Sequence, residues 1–99
     1  MRLSQHDREA IKRAAAEVAG ADARVLVFGS RLLDALRGGD IDLLIELPLP
    51  TTDRLGLGLR IGARIERQLG MQRIDVLVAD PLSPPSPVLT QARREGVAL

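Results

Sequence analysis

Val25-Leu26-Val27-Phe28-Gly29-Ser30-Arg31, followed ten residues after Ser30 by Asp40-Ile41-Asp42-Leu43-Leu44, is the stretch on which the reading of this chain turns. The run 25–28 is short, apolar and rich in β-formers, as a buried strand is. A glycine and a serine at its exit offer backbone N–H groups and a hydroxyl to a phosphate. Asp40 and Asp42 flank one apolar residue, so on a strand both carboxylates share a face and can hold one or two divalent cations. Together these features describe a site for a magnesium nucleotide.

A third acid belongs to the same pattern. Arg73-Ile74-Asp75-Val76-Leu77-Val78 reads as another strand, with Ile74, Val76 and Val78 on one face and Asp75 on the other. If the two acid-bearing strands are neighbours, Asp40, Asp42 and Asp75 converge. Mg²⁺ takes one or two protein carboxylates and completes its octahedron with water and substrate phosphates, so three acids suffice for a two-metal site.

The glycine-serine-arginine turn followed by Asp-Ile-Asp resembles the nucleotidyltransferase fold of the DNA polymerase beta superfamily. The length of 99 residues is similar to that of its minimal nucleotidyltransferase (MNT) branch. The resemblance covers most of the chain, from Val25 through Asp75, and extends to the closing Arg94-Glu95-Gly96-Val97-Ala98-Leu99. It implies an α/β (α+β) fold, a small mixed sheet with helices packed against it and the acids at its open face. It also implies roles: Gly29, Ser30 and Arg31 for the triphosphate of ATP, Asp40 and Asp42 for two Mg²⁺ ions, and Asp75 as metal ligand and base for the acceptor hydroxyl. The chain departs from the family at Gly39, where serine is common, and at Leu32, Leu33 and Leu36, where shorter polar residues are common.

The whole chain sets further bounds. Ninety-nine residues suit a single domain, 1–99, with a single core, so a second substrate has to be held by a partner or at a subunit interface. A net charge of +1 and a single aromatic, Phe28, disfavour nucleic acid as the main partner. The absence of cysteine removes disulfides and thiolate metal sites. No apolar stretch reaches membrane-spanning length, and a cytoplasmic protein is the expectation.

Ser4 with Asp7 begins a helix over about residues 4–19, with Ile11, Ala14, Ala15 and Val18 on its apolar face and Gly20 at its end. Ser30 is placed to cap a helix over 31–37, and Gly38-Gly39 release the chain into a strand whose core face is Ile41, Leu43, Ile45 and Leu47. Thr51 or Thr52 is expected to cap a helix running to about Leu69, with Leu55, Leu59, Gly62, Ile65 and Leu69 as its buried stripe and Gly70 as its stop. Gly56, Gly58 and Gly62 each cost that helix about 1 kcal/mol relative to alanine, which predicts either an irregular start or close packing. The proline-rich segment 80–87 is an extended connector, and a last helix over 87–95 is expected to bury Val88, Leu89 and Ala92. Glu46 falls at the rim of the acid face, and Arg93 and Arg94 read as last-turn cations.

The leading functional expectation is a Mg²⁺-dependent transferase that moves AMP from ATP onto a hydroxyl of another molecule. By resemblance, the acceptor is a partner toxin protein with a HEPN domain, and the transferase is its antitoxin. The alternative is a non-catalytic antitoxin that neutralises its partner by contact. A third reading is a small α/β domain whose fold is steadied by a metal. The apolar stripes of the terminal helices suit a homo- or hetero-oligomer as well as a core.

Overall fold

The computed structural model describes residues 3–28, 41–70 and 73–99. Its elements run α1 (Gln5–Ala19), β1 (Arg24–Phe28), β2 (Ile41–Glu46), α2 (Arg54–Leu69), β3 (Ile74–Ala79), α3 (Pro87–Glu95) and β4 (Val97–Ala98). The expected helix over 31–37 lies outside the described residues.

Alternating side chains dictate how these elements assemble. The sheet has the order β3-β2-β1-β4, with β1 antiparallel to β2 and β4 and β2 parallel to β3, which makes it mixed. One face carries Val25, Val27, Ile41, Leu43, Ile45, Ile74 and Val78 and is covered by α1 through Ile11, Ala14 and Ala15 and by α2 through Ile61 and Ile65. The alternate set, Leu26, Phe28, Leu44 and Ala79, meets Leu89 and Ala92 of α3 on the other face. Because both faces are covered in part, Leu44 is buried although it shares its face with Asp42 and Glu46.

The helix ends follow local chemistry. Ser4 and Asp7 form a reciprocal capping box at α1. Helix α3 starts on the Ser86 cap with Pro87 in its first turn, and α2 ends at Gly70, whose φ of 80° favours glycine.

Four expectations need correction. The cap of α2 is Asp53, whose carboxylate accepts from the Gly56 N–H, whereas the Thr51 N–H is drawn to Asp80. The buried side of α2 is Gly58, Ile61, Gly62 and Ile65, and Leu55 and Leu59 stand 76% and 66% exposed. The glycines decide this: a Cβ at Gly58 would lie 3.0 Å from the Val76 carbonyl oxygen and one at Gly62 3.4 Å from that of Ile74, so the helix turns its glycine side to the β3 backbone. Val88 is likewise 47% exposed, leaving Leu89 and Ala92 as the buried residues of α3. Finally, the chain end adds a strand: Val97 and Ala98 pair with Val27 and Leu26, and the Leu99 N–H donates to the Val25 carbonyl at 3.0 Å. Two residues are too few to show a period.

Candidate active site

The alternation of β2 and β3 turns Ile41, Leu43, Ile45 and Ile74, Val78 inward and leaves Asp42 and Asp75 on the opposite face. The parallel register then makes Asp42 the partner of Asp75, while the antiparallel register makes Phe28 the partner of Asp42. Phe28, Asp42 and Asp75 therefore form one row across three strands. Neighbouring strands lie about 4.8 Å apart, which places the two carboxylates side by side. A one-residue slip of either strand would bury its acid among the isoleucines, so the hydrophobic pattern enforces the pairing.

The start of β3 is tied at both of its edges. The Ile41 N–H donates to the Arg73 carbonyl at 3.0 Å, and the Ile74 N–H donates to Glu66 Oε2 of α2 at the same distance. Asp75 follows directly. Its side chain is 51% exposed, with Arg73 Nε at 3.7 Å from Oδ1, whereas Asp42 is half-buried. An exposed pair of this kind contributes at most about 1 kcal/mol and is readily exchanged.

These acids border a cleft of about 520 Å³, within the usual range for small-molecule sites. Its walls come from β1 (Phe28), α2 (Leu55, Gly58, Leu59), β3 (Ile74, Val76, Leu77) and α3 (Val88, Gln91). Apart from the two acids, these side chains are uncharged. The apolar period by itself places Leu55, Leu59 and Val88 in the core and does not single out Gln91. For the three apolar residues the only signal is a periodicity wider than one buried stripe needs, and for Gln91 the sequence carries none.

Asp42 and Asp75 are thus brought together as expected. Gly29, Ser30, Arg31 and Asp40 lie outside the described residues. Among the described residues no three His, Cys, Asp or Glu side chains gather as a metal cage. Two adjacent carboxylates, hard oxygen donors beside space for a further ligand, nevertheless match what Mg²⁺ asks of a protein.

Two other charged groups hold the frame of the site. Asp80, placed in the connector by its sequence, is buried at the end of β3. It accepts from the Thr51 N–H at 2.9 Å, the Leu82 N–H at 2.8 Å and Arg54 Nη1 at 3.0 and 3.1 Å. The bond from Thr51 foremost, then those from Leu82 and Arg54, lowers its pKa against the opposing effect of burial. This carboxylate pins the loop before α2 to β3. Glu46, expected at the rim, accepts two bonds from Arg93 of α3, at 3.0 Å from Nη2 and 3.1 Å from Nε. That fork raises the Arg93 pKa and fixes α3 against the sheet, giving Arg93 a role beyond that of a last-turn cation.

The sequence matches the family model of the nucleotidyltransferase domain over residues 8–95. No curated protein matches the chain. A solved structure, of a tri-AMPylated Shewanella oneidensis HEPN toxin in complex with MNT antitoxin, contains a similar fold: TM-score 0.69 at 14% identity, over 97% of this chain and 71% of that one. Among the described residues no helix is long and apolar enough to cross a membrane.

Proposed function

The chain belongs to the nucleotidyltransferase domain family, and from that premise we propose that it transfers AMP from ATP to a hydroxyl on a partner protein of the HEPN toxin class. The observation that carries the reading is the register pairing of Asp42 with Asp75 at the edge of a ligand-sized cleft. The choice of partner rests on the likeness to a fold found in a complex of HEPN toxin with MNT antitoxin.

In this reaction the acceptor oxygen attacks the α-phosphorus of ATP and forms a P–O bond, the bond to the β-phosphate oxygen breaks, and pyrophosphate leaves. Asp42 and Asp75, with Asp40 preceding them in the chain, are the residues to hold Mg²⁺. When bound, Mg²⁺ neutralises charge on the triphosphate and lowers the pKa of the acceptor hydroxyl. Asp75, half open to solvent, is accessible to an incoming hydroxyl and takes its proton at a carboxylate oxygen. Gly29, Ser30 and Arg31 bind the β- and γ-phosphates. Catalysis of this kind comes mainly from positioning and charge neutralisation.

The test is intact mass spectrometry of the copurifying partner after incubation with Mg²⁺ and ATP, with Asp42→Asn in parallel. The expected result is one or more AMP units on the partner, absent with the variant. Tight association with no mass gain would replace transfer by neutralisation through contact.

A further inference from the structure

Besides the two acids, one polar side chain among the described residues borders the cleft: Gln91 of α3. Its backbone is well anchored. Leu89 and Ala92 are buried, and the Arg93–Glu46 fork clamps the following turn to β2. Val88 and Gln91, three residues apart, share the side of α3 that reaches the cleft. Gln91 Nε2 donates to Glu95 Oε1 at 3.3 Å, so the amide has a second N–H and its carbonyl oxygen to offer a ligand.

The residue type is informative. A lysine or arginine here would compete with a cation for the carboxylates, and another acid would add to their repulsion. A neutral amide does neither, and it presents a donor and an acceptor side by side. Adenine shows the complementary pair, the N6 amino donor beside the N7 acceptor, whereas guanine shows two acceptors, O6 and N7. Phe28, Leu59 and Val88 supply apolar surface in the same cleft for the faces of a flat ring.

We propose that Gln91 reads the base of the nucleoside triphosphate and selects adenine over guanine. This rests on the nucleotidyl-transfer reading above. It assigns base choice to α3.

The test is competition of ATP and of GTP against a fluorescent nucleotide analogue in Mg²⁺, giving a ratio of dissociation constants for the wild type, Gln91→Leu and Gln91→Arg. Gln91 is exposed, so both variants keep the wild-type melting temperature. The wild type is expected to favour ATP, Gln91→Leu to lose about tenfold of that preference, and Gln91→Arg, whose guanidinium matches two acceptors, to turn toward GTP. A ratio unchanged in both variants, with wild-type transfer intact, would overturn the assignment of Gln91 alone. A wild type that transfers no nucleotide at all would overturn the transferase reading and this inference with it.

Discussion

Substituting alanine at Gly58 and at Gly62 separates two effects that the sequence of α2 confounds. Each change removes the helix penalty of glycine, a gain of about 1 kcal/mol. At Gly62 the added methyl meets the Ile74 carbonyl oxygen and Val76 Cγ2, both at 3.4 Å, the border of ordinary contact. Most of the gain should survive there, raising stability by about 0.5–1 kcal/mol. At Gly58 the methyl meets the Val76 carbonyl oxygen at 3.0 Å and Val78 Cγ2 at 3.4 Å. The carbonyl is main chain in a strand held by β2, so α2 has to withdraw, loosening Ile61 and Ile65, which are fully buried. Overpacking of this kind costs about 1–3 kcal/mol, more than the propensity gain, so Gly58→Ala is expected to be net destabilising by up to about 2 kcal/mol. Urea unfolding at matched m-values measures both, and the two midpoints should move in opposite directions from the wild type. Equal stabilisation by both substitutions would refute the claim that glycine packing orients α2.

Other perturbations test the rest of the frame. Ile65→Ala empties a fully buried site between α2 and the sheet and should cost about 2–5 kcal/mol in the same unfolding assay. Asp80 has a folded-state pKa below its ordinary value, so its stabilisation is fully present above about pH 4 and is lost as pH falls through that lowered pKa. Asp80→Asn should lower the melting temperature at neutral pH, and its melting temperature should fall less than the wild type's on acidification. Arg93→Ala removes a partly exposed ion pair and should cost about 1 kcal/mol or less by chemical denaturation. Mg²⁺ with ATP at about 100 times the dissociation constant should stabilise the wild type by about 2.7 kcal/mol, seen as a higher melting temperature, and Asp75→Asn should lose most of that increment.

The faces of the strands were readable because their period is two and their cores are aliphatic. Ile41, Leu43 and Ile45 had to turn together, which sent Asp42 the other way, and Ile74 with Val78 did the same for Asp75. The α1 capping box and the Gly70 stop were also local, written within a few residues. The orientation of α2 is not legible in its period because Leu55 and Leu59 satisfy a helical repeat as well as Gly58 and Ile61 do. Hydrophobicity alone gives glycine little weight, although a missing side chain is what permits the closest approach. The structural role of Asp80 is not legible along the chain because two of its partners, Thr51 and Arg54, lie 29 and 26 residues away.

What the sequence determined by itself is therefore what depends on neighbours along the chain: which residues form strands and helices, which side of each strand is apolar, and that two strands each carry an outward acid. What the tertiary structure decided is what depends on neighbours across space. The parallel register sets Asp42 beside Asp75, glycine packing turns Leu55 and Leu59 toward the cleft, and the burial of Leu89 and Ala92 against the sheet brings Gln91 to its edge. The physical reason is that periodicity is a property of one segment, whereas register and helix rotation are set by the fit between two.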